Sequence, residues 1–306
     1  MKKVILVFIV LFSHQVFSAR ECDYTVTSNN FTGTLTNSVQ AVSHSFIIKR
    51  ENNANRCRTF RAFFSRGGAG NYNRQASSGS SSIPYNLYSD SSLVTVLKDY
   101  PDASQPSEYI SGSLPANNTD YNFNFFVKQV DLDSVFSTGT GYFGDSLQIS
   151  FYSVKDNGEL TYESTAYFYL QLIIPRYAEL SLVPLGGAHD PAATQYVMDF
   201  GVMTSNEIQS ASLNVKGNVG FGVYMTSQNG SVLKKGSTNI PYQIQVGPTS
   251  YQSLSNPGQE TYMFQRNSGT SINAENYPIN VKLGTVPTSA ETGDYEDVIT
   301  VTVKAW

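Results

Sequence analysis

Gly293-Asp294-Tyr295-Glu296-Asp297 opens a run in which every second residue is apolar: Ile299, Val301, Val303 and Ala305. A period of two is what a strand with one covered face requires, and a helix cannot satisfy it. The same device occurs earlier, where Gly141-Tyr142-Phe143-Gly144-Asp145 opens Leu147, Ile149 and Phe151. Thirty residues separate Asp145 from Pro175, and among them Ala166, Phe168, Leu170, Leu172 and Ile174 alternate on one face; after Asp297 nine residues remain. Two related β-units in tandem are expected, the second ending one strand early. A sandwich short of a strand has an open apolar groove.

Two further anchors repeat in the same order. Phe60-Arg61-Ala62-Phe63-Phe64 is matched by Phe221-Gly222-Val223-Tyr224-Met225, and Ile83-Pro84-Tyr85 by Ile240-Pro241-Tyr242. From the second-anchor Tyr to the third-anchor Asp is 60 residues in one half and 55 in the other. Short alternating runs bounded by turn residues fill the chain between these anchors, and no 3.6-residue pattern appears. The second half is expected to include strands at residues 180–183, 196–202, 211–215, 221–226, 242–246, 261–265, 279–283 and 298–304.

Composition sets the address. Met1-Lys2-Lys3, the apolar run Val4 to Phe12 and Val16-Phe17-Ser18-Ala19 read as a secretory signal peptide, residues 1–18. Its nine apolar residues are too few for a bilayer core of about 30 Å. Units at 19–175 and 176–306 follow. The net charge is −4 at pH 7, and −6 once Lys2 and Lys3 leave with the signal; no basic cluster is present, which argues against nucleic acid as a partner. Cys22 and Cys57 are the two cysteines. In an oxidising compartment they read as one disulfide, with a pair of free or metal-binding thiols as the alternative.

Chemistry-bearing motifs are sparse. No nucleophile elbow, His-Glu-x-x-His signature or P-loop occurs, so no catalytic residue, cofactor or metal is assigned. His44 and His189 read as solvated loop histidines. Asp131 and Asp133, on one face of a strand, read as a solvated edge rather than a calcium site.

Gly293-x-Tyr295-x-Asp297 resembles the tyrosine corner of immunoglobulin-like sandwiches, in which a Tyr hydroxyl ties back to nearby backbone at the start of a strand. The fold class is therefore read as all-β: two tandem Ig-like sandwiches, the C-terminal one an incomplete pilin-type domain lacking its last strand. Tyr196-Val197-Met198-Asp199-Phe200-Gly201, the Ile240-Pro241-Tyr242 strand and the closing Gly293 to Val303 run resemble the spore coat protein U-like domain of archaic chaperone–usher fimbriae. The resemblance is clearest over 178–306. It implies donor-strand complementation. A periplasmic chaperone lends a strand, and at the outer-membrane usher the N-terminal strand of an adjacent pilin subunit replaces it. Leu180, Leu182, Ile299, Val301, Val303 and Trp306 would line the groove.

Cys22 and the first unit stand where a shaft subunit carries its free donor segment. The chain is therefore expected to accept a strand without giving one, as a tip adhesin exported through the periplasm to the cell surface. Binding to an abiotic surface or host receptor is expected in first-unit loops, at Tyr72, Val94, Leu97, Tyr100, Tyr121 and Phe123. These loops would grip apolar surfaces or form a sugar pocket; the alternative for the aromatic residues is the core. The competing readings of the whole chain are a secreted spore-coat-U-like surface protein away from a tip and a carbohydrate-active β-sandwich enzyme.

Overall fold

The computed structural model describes residues 21–306; the expected signal segment lies outside them. Ten strands build the first half: β1 (Tyr24–Ser28), β2 (Phe31–Thr34), β3 (Gln40–Arg50), β4 (Thr59–Phe64), β5 (Gln75–Ser78), β6 (Ser81–Tyr88), β7 (Ile110–Ser113), β8 (Tyr121–Gln129), β9 (Gly141–Val154) and β10 (Leu160–Ile174). Eight follow: β11 (Ala178–Pro184), β12 (Ile208–Gly217), β13 (Phe221–Ser227), β14 (Val232–Lys235), β15 (Thr238–Val246), β16 (Thr261–Arg266), β17 (Glu275–Leu283) and β18 (Ile299–Ala305). The chain is all-β, with curled sheets that make sandwiches.

In the first half the strands run β1-β3-β8-β6-β5-β9-β10-β2, with β4 beside β9 and β7 beside β4. The sheet curls until its inward faces meet. Phe46 of β3 packs edge-on against Phe60 of β4 and Phe151 of β9 at 6.2 and 5.1 Å, and Phe125 of β8 meets Phe64 of β4 at 5.0 Å. In the second half the five-stranded sheet β11-β12-β17-β15-β14 faces the three-stranded sheet β16-β13-β18. Leu213, Val215, Val223, Met225, Ile244 and Ile279 are buried in a separate core.

The repeated anchors meet in space. The Tyr85 hydroxyl donates to Asp145 Oδ2 at 2.6 Å, and the Tyr242 hydroxyl donates to Asp297 Oδ2 at 2.6 Å. Each aspartate also accepts a loop N–H on Oδ1, from Gly68 and from Asn229, both at 2.9 Å. Each accepts the N–H of its own successor as well, Ser146 or Val298, at 2.8 Å. One carboxylate thus ties a hairpin strand, a loop and a further strand in both halves, from within β9 in the first and just ahead of β18 in the second. Burial and the neighbouring carboxylate push both phenols above their ordinary value, which keeps them neutral donors. The Tyr295 hydroxyl donates to Glu291 O at 3.1 Å, the tie-back expected of a tyrosine corner. In the first half Phe143 takes that position and is buried, without a hydroxyl.

Cys22 and Cys57 are disulfide-bonded. The buried Glu163 reinforces that end, accepting the N–H groups of Glu21 and Cys22 at 3.0 and 2.9 Å and the Ser153 hydroxyl at 2.7 Å.

Three sequence expectations about local structure need correction. Residues 196–202 form no strand. The Asp199 side chain accepts the Gly201 N–H at 2.8 Å and Gly201 takes φ +56°, so the segment turns where a strand would extend. His44 is not a loop residue: it lies in β3, wedged against Phe31, Phe125 and Phe168, and burial lowers its pKa. Asp131 and Asp133 lie on no strand: the chain leaves β8 at Gln129, and Asp133 opens a 3-10 turn. Asp131 accepts the Ser134 N–H at 2.8 Å, while Asp133 pairs with Lys216 Nζ at 2.6 Å.

Replacing Tyr85 with Phe removes a donor from the buried Asp145, whose remaining partners are backbone amides. A loss of about 1.5–3 kcal/mol is expected for a hydrogen bond to a charged group. Urea denaturation checks it, and Tyr242→Phe should lower stability by a comparable amount.

Candidate functional site

The site begins with two strand edges. β18 pairs with β13 on one side, from Phe221↔Ala305 to Ser227↔Ile299. β11 pairs with β12 on one side, from Ala178↔Gly217 to Pro184↔Ala211. Among the described residues no strand pairs with the other edge of either. The Leu182 N–H alone is taken up there, donating to Ala193 O at 2.7 Å.

Between these edges runs a groove of about 970 Å³. Leu180 and Leu182 form one wall and residues 293–301 the other; Met225, Ile244, Ile279 and Val281 make the floor. Residues 194–201 lie along it, with Tyr196 and Val197 exposed and Met198 and Phe200 half-buried against the core. β11 has its burial inverted. Its inward Leu180 and Leu182 are half-exposed, whereas its outward Ser181 and Val183 are buried.

The first half shows what such a groove lacks. β9 lies beside β4 as β18 lies beside β13, but β9 also pairs with β10 along fourteen positions. With β10 in place, Phe143, Leu147, Ile149 and Phe151 are at most 2% exposed. The corresponding Ile299, Val301 and Val303 are only half-buried against their core. β10 contributes five inward side chains, Ala166, Phe168, Leu170, Leu172 and Ile174, all buried. At about 1.5–3 kcal/mol for each large one, a strand of this kind is worth roughly 10 kcal/mol, comparable to a whole domain's stability of about 5–15 kcal/mol. The groove therefore has a large free-energy incentive to be filled by an extended apolar segment, and the bare edges supply the hydrogen-bonding partners.

Of the residues expected in the groove, Leu180, Leu182, Ile299 and Val301 line it and Val303 packs on the same core. Trp306 does not belong there. Its N–H donates to Gly220 O at 3.1 Å, and its ring lies close over Gly222 on the far side of β13.

The residues expected to bind surfaces divide. Val94 and Tyr100 are exposed, by 76% and 48%. Leu97 is fully buried, its N–H bonded to Leu87 O, so it cannot contact a surface. Phe123 is also a correction: it sits 4.7 Å from Phe60 and 5.9 Å from Phe46, packed on the core. Tyr121 packs on the same core and accepts the Ala116 N–H at 3.0 Å. The Tyr72 hydroxyl donates to Asp102 Oδ2 at 2.7 Å and accepts the Asp99 N–H at 2.9 Å, bracing the 99–102 loop.

Sequence reading missed what holds that loop. Arg74 is fully buried and donates to the carbonyls of Ser65 and Leu97, at 2.7 and 2.8 Å through Nη2. Burial lowers its pKa to about 10, which still leaves it charged at neutral pH. Glu108 accepts from Lys98 and from the N–H groups of Ser104 and Gln105. No periodicity announces either residue, because each bonds across loops rather than along a strand.

No family model and no curated protein sequence matches the chain. Among solved structures it is similar to the tip adhesion subunit of the archaic chaperone–usher Csu pili of Acinetobacter baumannii, solved with its chaperone. That match has 10% identity and a TM-score of 0.48, covering 92% of this chain and 100% of the other. The CupB6 tip adhesin of Pseudomonas aeruginosa is similar at 11% identity and TM-score 0.32, covering 92% and 94%. AggA, the major subunit of Escherichia coli aggregative adherence fimbriae type I, is similar at 13% and 0.32, covering 51% and 96%.

The Glu108 contacts carry a pH signature. Lys98 first, then the Ser104 and Gln105 amides, hold its pKa at about 2 against an ordinary 4.5. A depressed carboxyl stabilises the fold above its unfolded value, and that contribution is lost as pH falls from about 4.5 to about 2. Thermal melts of Glu108→Gln and the parent chain should therefore differ at pH 7 and converge as pH approaches 2.

Proposed function

We propose that this chain is a subunit of a chaperone–usher fimbria that accepts a donor strand between β11 and β18. The observation that carries the reading is the groove itself: apolar walls and floor, two bare edges, and half-exposed inward residues on both rims. β10 beside β9 provides an internal template for the missing piece. A periplasmic chaperone would hold the groove first. At the outer-membrane usher, the N-terminal strand of the adjacent subunit would take its place.

The position proposed is the fibre tip. β1, the first described strand, is already committed to its own sandwich: it pairs with β3 over five positions and sits beside the Cys22–Cys57 bond. It is not free to be donated. The first sandwich then stands outward as the half that meets a surface or receptor, with the protein displayed outside the cell after periplasmic passage.

A peptide with the sequence of residues 166–174, added to the full mature chain, tests the groove. Saturation to about 100 times the dissociation constant should stabilise the second core by about 2.7 kcal/mol, read as a raised melting temperature. Val301→Asp should abolish the shift. A parent chain that melts cooperatively and ignores the peptide contradicts strand acceptance. For position, immunogold label against residues 21–174 should mark fibre ends; label along the shaft rejects the tip assignment.

A further inference from the structure

The outer face of the β4–β9–β10 layer carries a feature that the groove does not explain. Arg61 and Phe63 point outward from β4, and Tyr152 from β9 lies directly opposite Arg61 in the register. Tyr100 and Tyr109 fold in from the loops. Ring centroids run 5.1 Å from Tyr109 to Phe63, 5.6 Å from Phe63 to Tyr100, 5.1 Å from Tyr100 to Tyr152 and 5.7 Å from Tyr152 to Tyr162. Phe63 is 1% exposed beneath the others, while Tyr100 and Tyr162 are 48% and 44% exposed. The result is an aromatic platform of tilted and edge-on rings on a sheet face, backed by a buried ring.

One end of the platform is charged. The Arg61 guanidinium lies 4.8 Å from the Tyr109 ring centroid, held by cation–π attraction. Among the described residues it has no carboxylate partner and donates no hydrogen bond, so its planar fork remains available. A guanidinium fork matches a carboxylate in bidentate fashion. Beside Tyr100, Asp99 uses Oδ1 to accept the Tyr100 N–H at 2.9 Å, leaving a carboxylate oxygen to accept a hydroxyl.

We propose that this platform binds a pyranose carrying a carboxylate. The apolar C–H face of the sugar stacks on the exposed tyrosines, its carboxylate pairs with Arg61, and a ring hydroxyl donates to Asp99. A plain apolar surface would leave the Arg61 cation desolvated and unpaired, at a cost in binding. This deepens the reading of the first sandwich as the ligand-bearing half and does not depend on strand acceptance. The peptide experiment reads the groove alone, so the two can fail separately.

The test uses the full mature chain in saturation-transfer NMR titrations with tetragalacturonate, sialyllactose, maltotetraose and lactose. The acidic sugars should bind at least about tenfold more tightly than their neutral counterparts. Preference between tetragalacturonate and sialyllactose assigns the source as a uronate or a sialate. Arg61→Gln should remove the acidic preference, and Tyr100→Ala and Tyr162→Ala should each weaken binding. Tyr167→Ala, 72% exposed on β10 and outside the ring array, should leave it unchanged. Circular dichroism confirms that each variant is folded. Equal binding of acidic and neutral sugars, no sugar binding, insensitivity to all three platform variants, or retention only on an alkyl-coated surface would each overturn the proposal.

Discussion

A strand with one apolar face imposes two demands at once. Its side chains need a cover, and its backbone donors and acceptors need partners on both edges. In the first sandwich β9 has both demands met by β4 and β10, and its inward residues are sealed. In the second, β18 has β13 on one edge and a groove on the other. The half-exposed Leu180, Leu182, Ile299 and Val301, the bare edges and the irregular 194–201 segment beside them all follow from that one unsatisfied position.

The two halves solve the rest of the problem in the same way. An aspartate near the head of β9, or just ahead of β18, gathers a tyrosine hydroxyl, a loop amide and its own successor's amide. Low local dielectric strengthens such contacts and makes an unpaired member costly, so the cluster fixes the entry angle of β9 and of β18. In the second half this is consequential. The Tyr242–Asp297 tie and the Tyr295 corner position β18 without help from a covering strand, which keeps the groove shaped while it is open.

Much of this was legible in residue patterns. The alternation at 299–305, the repeated Ile-Pro-Tyr and Gly-x-Phe/Tyr-x-Asp anchors and the Tyr-to-Asp spacings led to the matched strands and to the groove rim. What was not legible depends on long-range contact. The strands at Phe31–Thr34, Gln75–Ser78, Ile110–Ser113 and Val232–Lys235 are four residues each and too short to show a period. Leu97 and Trp306 carry no local mark of which way they face. The outward-facing Phe63 and Tyr152 did carry one, since each breaks the polar half of its strand's alternation, and that is the signal by which the aromatic platform could have been found.

The Cys22–Cys57 bond joins residues 35 apart and encloses β1, β2 and β3. A molecule pulled from its ends cannot draw out the chain inside that ring. With about 3.3–3.6 Å per extended residue, roughly 120 Å of contour length stays locked away however far the remainder is stretched. The covalent ring thus sets a shorter tether under load, and reduction of a single bond lengthens it.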